Sequence, residues 1–146
     1  MLRSLALDIN GTLTCDGRLL PGVRASIKRL KQQLDVCLIS CDSRGNARAI
    51  AKSLAVPLHV VAYHRRGEAF GKLAVLRRLG PSATAAIGNG ESDRLMFEEA
   101  ALSIAVLGKE GAAGTALMNA AVVVRDIADA FDLLLHPARL IATLRC

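Results

Sequence analysis

Tryptophan is absent from this 146-residue chain, and all aromatic residues together make up only 3% of it. A core without large rings must be built from Leu, Val, Ile and Ala, and a surface without them offers no stacking platform for unpaired bases. A dedicated nucleic-acid binder is therefore not expected. Acidic residues are also in deficit, with 13 Asp and Glu against 19 Lys and Arg and a formal net charge of +6. That balance suits anionic partners such as phosphorylated metabolites, nucleic acid or a membrane surface, or else reflects a solvated basic exterior. The basic residues come as the pairs Arg65-Arg66 and Arg77-Arg78, not as long runs. Cys15, Cys37, Cys41 and Cys146 form no CxxC pair and have no His at zinc-finger spacing, which excludes the common structural zinc sites. No apolar run is long enough to span a bilayer, because Gly108-Lys109-Glu110-Gly111 divides the apolar stretch from Ala100 to Val124. The N-terminus turns polar at Asp8-Ile9-Asn10-Gly11, so no secretory leader is expected. A cytoplasmic protein with reduced thiols follows as the expectation.

What is present is alternation, on a length that suits one domain spanning 1–146. Apolar runs at Ser4–Asp8, Val36–Ser40, Leu58–Ala62, Thr84–Ile87, Ser103–Leu107 and Ala121–Val124 predict buried strands. Between them lie helical patterns. Pro21-Gly22 opens the first, with Val23, Ile27, Leu30 and Leu34 at helical spacing. Asp42 or Ser43 caps a second that runs to about Leu54. Others run from Glu68 to Leu79, from Gly88-Asn89-Gly90 to about Ala100, from Ala112 to Asn119, and from Asp126 to about Leu135 before Pro137. Strands joined by crossover helices imply an α/β fold, a three-layer αβα sandwich around a mainly parallel, Rossmann-like sheet. Ligands of such sheets bind beyond the carboxyl ends of the strands, where the strand order reverses. Three expected strands end in polar residues: Asp8, Ser40-Cys41-Asp42 and Asn89.

The segment Asp8-Ile9-Asn10-Gly11-Thr12-Leu13-Thr14 puts a carboxylate at a strand end, before a glycine-containing turn whose N–H groups can cradle an anion. It resembles the nucleophile loop of the haloacid dehalogenase (HAD) superfamily, and its Gly-Thr-Leu-Thr run resembles P-type ATPases in particular. Ser40, Lys72 and Gly88-Asn89-Gly90-Glu91-Ser92-Asp93 then fall in order where that superfamily has its Ser or Thr, its lysine and its acidic motif. Each piece alone is weak, since a lone Lys72 would be a surface lysine by default. The order of all four carries the resemblance.

The resemblance implies a Mg²⁺-dependent phosphohydrolase in which Asp8 attacks phosphorus and becomes an aspartyl phosphate. By it, Mg²⁺ is held by Asp8, the carbonyl of Asn10, Asn89 and Asp93. Ser40 and Lys72 hold the phosphoryl oxygens, with Gly11, Thr12 and Cys41 beside them. Asp42 either faces the site or caps its helix. Two residues depart from the pattern. Asn10 stands where phosphatases of this superfamily carry a second aspartate that moves protons, a step an amide cannot perform. Asn89 stands where the metal-binding aspartate usually sits, and its neutral oxygen weakens Mg²⁺ binding. A slow enzyme is thus expected, and a regulatory or non-catalytic module that binds phosphate or a partner is the alternative.

The superfamily encloses small substrates with an inserted cap. Here Thr14–Pro21 reads as a short loop and only Tyr63–Gly67 follows the third strand, so no cap domain is expected. An open site suits a phosphorylated small molecule or a phosphoprotein, unless a second subunit of a homo-oligomer covers it. Leu133-Leu134-Leu135 and Leu140-Ile141 pack on the sheet or on such a partner, the first being favoured. His59, His64 and His136 are scattered and read as solvated. His64, beside Arg65 and Arg66, also has the reach to an anion at the rim.

Overall fold

In the computed structural model, which describes residues 1–61 and 65–146, these elements follow in order: β1 (Ser4–Leu7), β2 (Thr14–Cys15), β3 (Arg18–Leu19), α1 (Val23–Leu30), β4 (Asp35–Ser40), α2 (Ala47–Leu54), β5 (Leu58–Val60), α3 (Glu68–Leu79), β6 (Thr84–Gly88), α4 (Arg94–Glu99), β7 (Leu102–Val106), α5 (Gly114–Asn119), β8 (Val122–Val124), α6 (Ile127–Leu135) and α7 (Pro137–Leu144). Six strands form one parallel sheet in the order β5-β4-β1-β6-β7-β8. β1 sits in the middle, buried at every residue, and the strand order reverses beside it. Its carboxyl end is therefore the place where a ligand can reach the sheet between two diverging connections.

Side-chain alternation divides the core into two layers. Leu5 and Leu7 of β1 face α1, α2 and α6, against Val23, Ile27, Ile50, Leu54 and Phe131. Ala6 faces the other way, with Ala86 and Ala105 of the neighbouring strands, against Leu73 and Leu76 of α3, Met96 and Phe97 of α4, and Ala116 of α5. α3 packs on that alanine-lined face through Leu73 and Leu76, and Lys72 beside them reaches Asp8 at the end of β1. The three-layer αβα sandwich is as the alternation of patterns implies. Residues 61–67 connect β5 to α3, too few for a cap domain.

Helix ends follow local chemistry. Val23, Ile27 and Leu30 form the buried stripe of α1. Arg24 of α1 donates to the Ser53 carbonyl, and Lys31 just beyond α1 donates to that of Ala55 at 2.5 Å. These two cations satisfy carbonyls left open at the end of α2. Glu68 opens α3, and Arg77 and Arg78 close it, each at the helix end its charge favours.

Several boundaries differ from the sequence expectation, α4 starting only at Arg94 and β5 ending at Val60, and three differences have a clear local cause. Thr14–Leu19 is a hairpin of β2 and β3, not a loop: Asp16 (φ 50°) and Gly17 (φ 78°) take the left-handed conformations a two-residue turn requires. α2 starts at Ala47, because the chain stays irregular through Gly45 at φ 70°. Its N-cap is therefore Asn46 and neither Asp42 nor Ser43, although Asp42 Oδ1 accepts from the Ala47 N–H at 3.0 Å. Pro137 opens the additional helix α7, since a proline at the first helical position loses no hydrogen bond. In that tail Leu140 packs against the core, whereas Ile141 is exposed. Among the described residues no helix is long and apolar enough to cross a membrane.

Candidate active site

Asp8 follows β1 directly, and its N–H donates to the Ile87 carbonyl of β6 at 2.9 Å, which keeps the residue in line with the sheet. The chain then turns sharply. The N–H groups of Thr12, Leu13 and Thr14 all point to the Ile9 carbonyl, at 3.1, 2.9 and 3.2 Å, so the turn uses these three itself and they are not the expected anion cradle. Both oxygens of the Asp8 carboxylate are held. Oδ2 accepts from the Thr12 hydroxyl at 2.9 Å, and Oδ1 accepts from Lys72 Nζ at 2.7 Å.

Lys72, one turn into α3, is 2% exposed, and its ammonium also donates to Asp93 Oδ1 at 2.7 Å. Burial alone would lower its pKa. The charges of Asp8 and Asp93 and the hydrogen bonds to them raise it well above the ordinary lysine value, so it stays protonated. Asp93 is fully buried, and its other oxygen accepts from the N–H groups of Asn89 (3.1 Å) and Gly90 (2.9 Å). Burial, then the charge of Asp8, push its pKa upward against the opposing pull of Lys72. Glycine at position 88 is a packing requirement, since a Cβ there would lie 2.3 Å from Asp93 Oδ2.

Asn89 lies against the nucleophile loop. Its Oδ1 is 3.2 Å from the Thr12 hydroxyl, and its Nδ2 donates to the Gly111 carbonyl at 3.1 Å. Two oxygens, Asp8 Oδ2 and Asn89 Oδ1, thus converge on the one hydroxyl of Thr12. Gly11 makes this approach possible: at φ 76° a side chain is strained, and a Cβ would meet Asn89 Nδ2 at 2.3 Å.

Above this cluster opens a cleft of about 240 Å³, whose wall includes Asp8, Asn10, Ser40, Cys41, Lys72 and Asn89. Six expected site residues therefore meet there. Ser40 Oγ accepts from the Asp42 N–H at 2.9 Å. Burial, then a hydrogen bond to Glu68, push the Cys41 thiol up to about 12, so it stays protonated. Asn10 donates from Nδ2 to Ser43 Oγ at 3.1 Å, while its Oδ1 is buried without a partner among the described residues.

Three expected residues lie off that wall. Thr12 is wholly buried beneath Asp8. Gly11 turns away and lines a separate apolar pocket with Cys15, Val106 and Ile127. Asp93 sits behind Lys72. His59 and His136 are not among the cleft residues, and His64 lies outside the described residues. Ser43, Glu68 and Ser92 line the cleft without having been expected there. Glu68 carried a signal: it is four residues before Lys72, on the same face of one helix.

Among the described residues no three His, Cys, Asp or Glu side chains group into a metal site. The oxygens near Lys72 are the nearly buried carboxylate of Asp8 and the Asn89 amide, to which the resemblance adds the Asn10 main-chain carbonyl. An all-oxygen set of low charge fits a hard cation such as Mg²⁺ and does not suit zinc.

No protein-family model matches the chain. An uncharacterized protein of Methanocaldococcus jannaschii is 50% identical over 60 residues, which is 41% of this chain and 64% of that protein. The chain thus spans less than two thirds of that relative's length. Among solved structures, a Streptomyces avermitilis protein assigned to the HAD family of hydrolases is 21% identical over 85% of this chain and 76% of its own, with a TM-score of 0.69. The 3-deoxy-D-manno-octulosonate 8-phosphate phosphatase of Moraxella catarrhalis, solved with a magnesium ion, a phosphate ion and a KDO molecule, is 18% identical over 99% of this chain and 94% of its own, with a TM-score of 0.72. The chain therefore has the haloacid dehalogenase fold, in a form without a cap domain.

Proposed function

We propose that this chain hydrolyses phosphate monoesters slowly, by way of a covalent phosphate on Asp8. The observation that carries the reading is the bridge of Lys72 to both Asp8 and Asp93. It orients a nearly buried carboxylate at the floor of an open cleft and sets a fixed positive charge beside it. In that position a carboxylate oxygen of Asp8 attacks phosphorus, the bond from phosphorus to the ester oxygen breaks, and the leaving oxygen takes a proton from solvent water to depart as the alcohol. Lys72 stays protonated throughout and offsets charge on the phosphoryl oxygens, which Ser40 also contacts. Water then attacks the aspartyl phosphate, the phosphorus–carboxylate bond breaks, and inorganic phosphate and free Asp8 result.

Bound Mg²⁺ would neutralise charge between carboxylate and phosphate, held by Asp8, Asn89 and the Asn10 carbonyl. Asp93 adds negative charge from behind Lys72. Because Asn89 is neutral, the ion binds more weakly than at a site with a second direct carboxylate.

Asn10 makes the enzyme slow. Its Nδ2 donates to Ser43 and its Oδ1 is buried, and neither end of an amide takes up the proton. General acid–base catalysis usually contributes about 10²–10⁴ in rate, and this site forgoes that share. The same residue favours a second reading, in which the cleft binds a phosphorylated small molecule or phosphoprotein without turning it over. Hydrolysis of p-nitrophenyl phosphate separates the two. Slow Mg²⁺-dependent release that is lost in Asp8→Asn and with EDTA supports the enzyme. Release that Asp8→Asn leaves unchanged removes Asp8 as nucleophile.

A further inference from the structure

The cleft wall carries one charged group that phosphate chemistry does not use. Glu68 stands in the first turn of α3, one turn above Lys72 and towards the cleft mouth. Its carboxylate lines the same cleft as Cys41 and remains accessible to solvent. Among the described residues no ion pair to Glu68 is formed: Lys72 is committed to Asp8 and Asp93, and Arg44 pairs with Glu110 at 3.8 Å. Arg66 stacks over the Phe70 ring at 4.0 Å. The other groups at the mouth, Ser43 and Ser92, are neutral.

A phosphate seated over Asp8 and Lys72 would share the cleft with Glu68, which lines the same wall. We propose that Glu68 is a specificity residue that selects phosphate compounds bearing an ammonium group near the phosphate and rejects those bearing a carboxylate there. The ammonium is attracted to Glu68 and donates to its carboxylate, whereas a second carboxylate is repelled by the same charge. This deepens the phosphatase reading and rests on its placement of the phosphate, but it does not depend on turnover.

Binding of two inert phosphonates of similar size tests it. Titration calorimetry with Mg²⁺ compares 2-aminoethylphosphonate with phosphonoacetate on wild type, Glu68→Gln and Glu68→Lys, after thermal melts confirm that each variant is folded. The expected result is a preference of about fivefold or more for the amine in wild type, in keeping with attraction to one ligand and repulsion of the other at a half-open site. Glu68→Gln loses the preference and Glu68→Lys reverses it. Equal binding in wild type, a preference for phosphonoacetate, no binding of either, or a preference that survives both substitutions overturns the assignment. A Glu68-dependent preference in a protein that hydrolyses no phosphate ester keeps the specificity and removes only the catalytic reading.

Discussion

Lys72 is buried in a place where no lysine would be stable alone, and its two partners would be no more stable without it. Two buried carboxylates share one ammonium, with Asp8 and Asp93 each at 2.7 Å. Removing one member of a buried ionic cluster leaves the remainder uncompensated, which costs far more than the net contribution of the pair itself. Lys72→Met should therefore lower stability by roughly 3–5 kcal/mol in urea unfolding at pH 8. The loss should shrink as pH falls, because the unpaired carboxyls then take up protons and no longer repel. A variant as stable as wild type at pH 8 would mean that the cluster is not charged as described. Lys72 also shows how far a residue can be read from sequence. Its spacing gave it a role by resemblance, but not its burial, which depends on how α3 packs on the sheet.

At the scale of elements, the parallel strands and most helices were legible because their apolar patterns are long and bounded by Gly, Pro or capping residues. The hairpin of β2 and β3 was not, since strands of two residues carry no periodicity. The Asp16-Gly17 pair was the available signal. α7 was missed for another reason: Pro137 reads equally as a stop and as a first helical residue. The placement of Gly11 and Thr12 outside the cleft was also illegible, because it depends on how the turn uses its own N–H groups. That turn makes a testable claim about packing. Gly11→Ala combines a left-handed backbone with a Cβ placed 2.3 Å from Asn89, whereas Gly22→Ala, at φ 83°, meets nothing within 4 Å. Gly22→Ala should cost only the backbone term, about 1–2 kcal/mol. Gly11→Ala should cost visibly more in the same urea titration, as the Asn89 loop shifts away from Asp8. Equal losses would show that the loop yields without resistance and that the contact does not order the site.

At the scale of the molecule, a sheet with its strand-order reversal at β1 delivers a carboxylate, a lysine and an amide oxygen to one open mouth, with no cap domain above it. The fold explains where chemistry can occur, and in the proposed mechanism the departures at Asn10 and Asn89 set its pace. An acyl phosphate has a leaving group that needs no proton, so it should phosphorylate Asp8 readily. Breakdown of the product requires water to lose a proton that Asn10 does not accept, so the phosphoenzyme should accumulate. The most direct test is intact-protein mass spectrometry after mixing with acetyl phosphate and Mg²⁺. Wild type should gain one phosphoryl group, mapped to Asp8 and absent from Asp8→Asn. Asn10→Asp should turn over at least about tenfold faster and retain less of the adduct. No phosphoryl group on Asp8 in wild type, together with no gain in rate for Asn10→Asp, would contradict the covalent mechanism and leave a module that only binds phosphate.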